Sequence, residues 1–267
     1  AVTETPCVII NVMRGGPATG QPTMASQQDI FQAKHGSHGD YEIIALCPAS
    51  AQEAYELTIK AFNLAETYRV PVFVLSDEIV GHTREKVEFR DYDVVERHLP
   101  DKTGYLPYRS RADGLLEGMP SFNQGYKLLV DGQLHNEAGN RVGANIEKSA
   151  ELVKRLCNKI TNHVDDLLDL DVQQVEDADI CVVTFGSASR PAMESVSKAR
   201  KAGIRAGLIR LRTLFPFPEK QIAELTKDTS VLLVPELNIG KLVLEVRRSV
   251  RDKKVVSLPK LGGALHT

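Results

Sequence analysis

The chain has 267 residues, enough to bury a sizeable core, and at the usual domain size of roughly 100 to 200 residues it is expected to form two domains. Its 42% hydrophobic and 25% charged residues are those of an ordinary globular protein, and no apolar run nears the roughly 20 residues a bilayer requires, so no membrane span is expected. The 33 basic and 35 acidic residues leave a net charge of -2, which argues against nucleic acid or an anionic membrane as the partner.

The opening residues Ala1 to Pro6 have neither an initiator Met nor a basic segment followed by an apolar one, so they do not read as a secretory signal. Both ends are expected to be cut, the first strand beginning almost at once and Leu265-His266-Thr267 showing no terminal element. Cys7 to Met13 is a nearly continuous apolar run, as in a strand covered on both faces of a parallel sheet. A glycine-rich segment follows. Tyr41 to Cys47 and Val70 to Leu75 repeat the strand pattern. Between them Ser50 to Tyr68 predicts a helix, with Ser50 as N-cap, Glu53 in the capping-box position, and Ala54, Leu57, Ala61, Leu64 and Tyr68 on one face. The result is a strand, helix, strand unit of the kind that joins parallel strands.

From about 85 to 145 periodicity disappears, and the stretch reads as a long connection or insertion. We expect residues 1–105 and 146–267 to form the two domains, with 106–145 between them. An amphipathic helix follows, carrying Leu152, Leu156, Ile160, Val164 and Leu167 at helical spacing. Strands are then predicted at Ile180 to Phe185, Arg205 to Leu211 and Val231 to Val234. Helices are predicted from about Pro191 to Ala202, capped by Ser189 and closed by Gly203, and from Pro218. Another helix with Leu242, Leu244 and Val246 opens after Gly240. The fold class is α/β.

Arg14-Gly15-Gly16-Pro17-Ala18-Thr19-Gly20-Gln21-Pro22-Thr23 lies just past the first strand, where parallel α/β sheets bind ligands. Gly15, Gly16 and Gly20 let backbone approach a ligand, and two prolines limit the entropy lost on binding. Arg14 offers a planar charged fork to a carboxylate or phosphate, and Thr19 and Thr23 add hydroxyls. The competing reading is a tight turn in which Arg14 pairs with a local carboxylate. Gly15 and Gly20 have phosphate-loop spacing, but Gln21-Pro22 stands where that motif requires Lys and Ser or Thr, so nucleotide binding is set aside.

His35 and His38 flank Gly36-Ser37; they could hydrogen-bond substrate or cofactor, or simply be structural, and no third ligand is assignable for a metal. Beside Asp77-Glu78, His82 reads as structural. Glu236 and Asn238, at a strand end, favour a structural or interface role, and Phe215-Pro216-Phe217-Pro218 a rigid turn that starts a helix. Cys7, Cys47, Cys157 and Cys181 lack C-x-x-C pairing and read as reduced, buried thiols of a cytosolic protein, with no metal assigned.

The Arg14 to Thr23 segment, then Gln28-Asp29, His35-Gly36-Ser37-His38-Gly39-Asp40, Ser76 to His82, Leu214 to Pro218 and Glu236 to Gly240, resembles the alpha subunit of 2-oxoacid:ferredoxin oxidoreductases, especially the 2-oxoglutarate enzymes. The resemblance covers nearly the whole chain. It implies a truncated thiamine-diphosphate pyrimidine-binding-type domain with a parallel sheet, then a transketolase C-terminal-like α/β domain. It also implies thiamine diphosphate shared with a beta subunit, magnesium and iron–sulfur clusters on partner chains, and a 2-oxoacid, coenzyme A and ferredoxin as reactants. The expected assembly pairs two alpha with two beta subunits in the cytoplasm.

By this resemblance Arg14 contacts the substrate carboxylate, with Thr19 beside it and Gly15, Gly16, Gly20 and Thr23 near the cofactor. Ala18 stands where the family commonly has Ser. The family's activating glutamate and substrate-side threonine lie upstream of these residues, so no catalytic residue is assigned here and the chain alone is expected to be inactive. Two other readings stay open: a noncatalytic assembly subunit, and a transketolase-like carboligase working without ferredoxin.

Overall fold

The computed structural model describes residues 1–267 and holds two five-stranded sheets that share one core. Strand β1 (Cys7–Gly15) turns back into β2 (Gln21–Ala25), which pairs with it antiparallel at Arg14↔Ala25 and Gly15↔Gln21. The segment expected to be a loop is thus a short hairpin. Helix α1 (Ile30–His35) and strand β3 (Ile44–Leu46) follow, then helix α2 (Ala51–Tyr68) and strand β4 (Pro71–Asp77). The parallel pairing of β4 with β1 on one side and β3 on the other makes good the strand, helix, strand expectation.

Helix α2 starts as its sequence dictates. Ser50 Oγ accepts the Glu53 amide at 3.1 Å, while the Glu53 carboxylate takes the amide of Ala49 at 2.8 Å, one residue earlier than a strict capping box. Leu57, Ala61 and Tyr68 bury against β3 and β4. Helix α3 (Glu78–His82) follows β4 directly, with Asp77 as its N-cap.

Residues 83–145 contain no helix and only the isolated bridges Ser110↔Leu116 and His135↔Arg141. They are ordered by side chains instead. Gln52 and Asn63 of α2 accept the amides of Glu88 and Val95 at 2.7 and 2.9 Å, and Tyr55 donates to the Arg90 carbonyl, strapping the segment along the helix. Arg69, buried and left-handed at the end of α2, donates to the carbonyls of Pro107 and Glu117.

The expected long helix is two: α4 (Ile146–Thr161) and α5 (Val164–Leu167), broken at Asn162-His163. Asn145 caps α4 by accepting the Lys148 amide. Ile160 and Leu167 pack in the cluster that covers the first sheet, and Arg155 and Lys159 of α4 hold the buried carboxylate of Glu4.

The second sheet has the order β10-β9-β6-β7-β5. Strand β5 (Leu170–Gln173) is antiparallel to its neighbour; β6 (Ile180–Phe185), β7 (Ala206–Leu211), β9 (Val231–Glu236) and β10 (Lys254–Pro259) are parallel. Helix α6 (Ser189–Lys201) is preceded by a short 3₁₀ turn over Gly186–Ala188, so Ser189 is not its N-cap as expected. Its hydroxyl donates back to the Gly186 carbonyl at 2.6 Å. Gly203, at φ +82°, closes that helix as expected. Strand β8 (Thr213–Phe215) leaves this unit and pairs antiparallel with β3, adding an edge to the first sheet. Helices α7 (Glu219–Leu225) and α8 (Leu242–Ser249) complete the fold. No helix is long and apolar enough to cross a membrane.

Candidate functional site at the end of strand β1

The site begins with backbone. Gly20 is left-handed at φ +48°, and a Cβ there would lie 1.9 Å from the Gly15 carbonyl oxygen, so only glycine lets β2 fold back over β1 at this point. Ala18 is also left-handed, at φ +53°. Residues 16 to 20 all face solvent, as does Thr23 on β2, whereas Gly15 is buried under the Gln21 side chain.

Arg14 is half-buried at the end of β1. Its Nη1 donates to the Thr19 carbonyl across the turn, and no carboxylate pairs with it. Its Nε and Nη2 carry no hydrogen bond within the chain, and together they form the side of a guanidinium that grips a carboxylate with two parallel bonds. Thr19 therefore contributes its carbonyl to orienting Arg14, and its hydroxyl stays in solvent.

The base of the hairpin is fixed to the second sheet. Gln27 is fully buried; its Nε2 donates to the Phe185 carbonyl at 2.8 Å and its Oε1 accepts the Leu237 amide at 3.0 Å. Its backbone carbonyl accepts from Asn238 Nδ2. Gly186, at φ +54°, lets Gln27 approach, because a Cβ there would meet Gln27 Nε2 at 3.0 Å. The ends of β1, β6 and β9 are thereby tied into one surface. Next to them, Asp77 is buried with its oxygens on the amides of Val80 and Ser187, and burial holds its carboxyl above the usual range.

The other residues singled out from the sequence lie apart from the hairpin. His35, the last residue of α1, and His38 just beyond it are exposed and make no hydrogen bond to the hairpin; His35 stacks edge-on against Phe31. His82 Nδ1 lies 2.6 Å from Glu78 Oε1 one helical turn away, the structural role its neighbours suggested. Glu236, fully buried, accepts the amides of Lys241, Leu242 and Val243 and so caps α8, and Asn238 accepts the Gly240 amide; both are framework. Phe215 and Phe217 are buried, with Pro218 at the start of α7. Cys47 and Cys181 are buried as expected, and burial pushes the Cys181 thiol up to about 12, but Cys157 is only half-buried and Cys7 is exposed, at the end of β1 that β2 does not reach. Gln27 was missed by sequence reading; its only outward sign was its place just before the Gln28-Asp29 pair.

An arginine at the C-terminal end of a parallel strand, on a solvent-facing hairpin braced by a second sheet, stands where α/β proteins bind their ligands, and the class the fold defines is an α/β protein of two parallel-rich sheets. Residues 1–155 match the family model described as pyruvate flavodoxin/ferredoxin oxidoreductase, thiamine-diphosphate binding, and residues 178–267 match pyruvate:ferredoxin oxidoreductase core domain II. The 2-oxoglutarate synthase subunit KorA of Methanothermobacter marburgensis is 48% identical over the whole chain, which spans 72% of that relative. The ketoisovalerate oxidoreductase subunit VorB of the same organism is 32% identical over 98% of the chain and 68% of its own length. The 2-oxoglutarate:ferredoxin oxidoreductase of Magnetococcus marinus, solved with 2-oxoglutarate, coenzyme A and succinyl-CoA bound, superposes with a TM-score of 0.89 at 29% identity. All of this chain is covered, and 47% of that one. The chain belongs to the 2-oxoacid:ferredoxin oxidoreductase family, as an alpha-type subunit of the 2-oxoglutarate kind. Thiamine diphosphate is that family's cofactor.

Proposed function

We propose that this chain supplies the substrate-carboxylate side of an oxidoreductase that converts 2-oxoglutarate and coenzyme A, with oxidised ferredoxin, into an acyl-CoA, carbon dioxide and reduced ferredoxin. The observation that carries the reading is Arg14. It stands at a strand end with one nitrogen fixed by the turn and the Nε and Nη2 pair uncommitted. Identity to a 2-oxoglutarate synthase subunit at 48%, against 32% for a ketoisovalerate enzyme, favours 2-oxoglutarate as the substrate.

Thiamine diphosphate, when bound, supplies the electron sink for decarboxylation. The residues present fit one wall of its site. Near the strand ends Val12 and Met24 expose apolar surface, and Gly16 and Gly20 carry no side chain at either end of the turn. They do not supply the activating acid: Asp77 and Glu78 are committed to Ser187, Val80 and His82, and Asp29 to Asn11. That acid, and the magnesium that anchors the diphosphate, are assigned to elements beyond residues 1–267 and to a beta subunit, with iron–sulfur clusters on partner chains and two alpha paired with two beta subunits.

Within this scheme Arg14 binds and orients the 2-oxoacid, Thr19 holds Arg14, and Gly15, Gly16, Gly20 and Thr23 border the cofactor. Holding a reactant in attack geometry is a large part of lowering a barrier. The exposed His35 and His38 keep a lesser claim on substrate or cofactor. Reduced, buried thiols at Cys47 and Cys181 accord with a cytoplasmic setting. The test is a substrate panel on the reconstituted complex. 2-Oxoglutarate is expected to give the highest kcat/KM, above pyruvate and branched 2-oxoacids, and the isolated chain is expected to turn over none of them. A preference for pyruvate, or turnover by the chain alone, would overturn the reading.

A further inference from the structure

The turn that carries the Arg14 partner Thr19 is exposed throughout, and its pairing to the body is short and irregular, with a register shift between Arg14 and Gly15. A hairpin of so few paired residues holds its geometry poorly without outside contacts. The turn itself, residues 16 to 20, has one side-chain hydrogen bond to a residue beyond the hairpin: the Gly16 amide donates to Gln28 Oε1 at 2.8 Å. Gln28 in turn follows Gln27, whose amide, carbonyl and side chain are all bonded to the ends of β6 and β9. A rigid connection therefore runs from the second sheet through Gln27 and Gln28 to Gly16, two residues from Arg14.

We infer that Gln28 is a positioning residue for substrate binding, fixing the turn so that Thr19 holds Arg14 with its free Nε and Nη2 edge toward the 2-oxoacid carboxylate. This inference rests on the reading of Arg14 as the carboxylate ligand. Gln28 is suited to the task because its neighbour cannot move. Gln27 is fully buried, and a Cβ at Gly186 would reach its Nε2 at 3.0 Å. The second sheet, which places no charged group on Arg14, thus acts on the site through the backbone at Gly16. A contact that orients a ligand's partner equally in the ground state and the transition state changes KM and leaves kcat.

The experiment compares Gln28→Met, which keeps length and removes the acceptor, with the parent in the fully assembled enzyme, in Arg14 and Arg14→Lys backgrounds. In the parent background Gln28→Met is expected to raise KM for 2-oxoglutarate by about fivefold, the worth of one hydrogen bond, with kcat and the melting temperature little changed. In the Arg14→Lys background the same change is expected to add almost nothing, because the two residues act through one contact. An equal KM effect in both backgrounds, or a loss confined to kcat and melting temperature, would overturn the positioning role. So would an unchanged KM for Gln28→Met alongside a large loss for Arg14→Lys, which would leave the Arg14 reading intact. An Arg14→Lys enzyme of undiminished kcat/KM would instead remove the reading beneath it.

Discussion

Strands β1 and β6 are near twins in sequence, Cys7-Val8-Ile9-Ile10-Asn11-Val12-Met13 against Ile180-Cys181-Val182-Val183-Thr184-Phe185, yet they live in different surroundings. β6 lies between β7 and β9 and buries every residue from Cys181 to Phe185. β1 has β4 along one side and β2 only at its end, and leaves Ile9, Ile10 and Val12 at 40%, 59% and 50% exposure. An apolar run reports that a strand can be covered on both faces; what covers it is decided by neighbours. The strand that carries the candidate site is the one left open, and the closed sheet is what braces it.

The sharpest way to break this contrast is to truncate both strands. Phe185→Ala is expected to lower unfolding stability by about 4 kcal/mol, since the ring is fully buried, and Ile10→Ala by less than about 1 kcal/mol. Equal losses in denaturant titrations of the chain would show that β1 is as well covered as β6.

Glu4 sharpens the comparison from the first sheet's side. Burial pushes its carboxyl up, but Lys159 and Arg155 more than offset this and hold it below the usual range. A carboxyl with a depressed folded pKa contributes stability above its ordinary value of about 4.3 that is lost as pH falls through the folded value. Glu4→Gln is expected to cost about 3 kcal/mol at neutral pH by leaving Lys159 buried without its partner, and to flatten the acid limb of the stability curve. An unchanged acid limb would mean that another carboxyl governs it.

Gly20→Ala is expected to strain the turn by about 2 kcal/mol, from both its φ and the approach of Gly15. The loss should appear in substrate affinity far more than in melting temperature, because the turn is exposed; the reverse order would make the hairpin part of the global fold. A smaller effect tests the division of the chain after about residue 145, which we retain as a proposal. Expressed alone, residues 146–267 are expected to unfold cooperatively through the second sheet without binding thiamine diphosphate. Helix α4, which packs Ile160 on the first sheet, should lose protection from hydrogen exchange. A disordered product would show that the first sheet completes this unit's core.

Much of this architecture was legible locally. Ser50 and Glu53 announced α2, and the apolar runs announced β1, β4, β6, β7 and β9. What stayed hidden depended on partners distant in sequence. β2 contains Pro22, which cannot donate to a ladder and sits here at a sheet edge, and β8 is three residues long and belongs to the other sheet. Ser189 looked like a cap because nothing local reveals that Gly186 already begins the helical turn. The lack of periodicity from about 85 to 145 goes with the absence of helices there, but nothing local shows that α2 straps its first part through Gln52, Tyr55 and Asn63. At the site Arg14 was legible from its place after a strand, whereas Gln27 was not, since its bonds go to Phe185 and Leu237.

The central claim, that the open strand end binds the 2-oxoacid through Arg14, is tested most directly by kcat/KM for 2-oxoglutarate in the assembled enzyme carrying Arg14→Lys. Lysine keeps the charge and loses the two-nitrogen edge, so a fall of at least about tenfold, roughly 1.4 kcal/mol, is expected. An unchanged kcat/KM would contradict it.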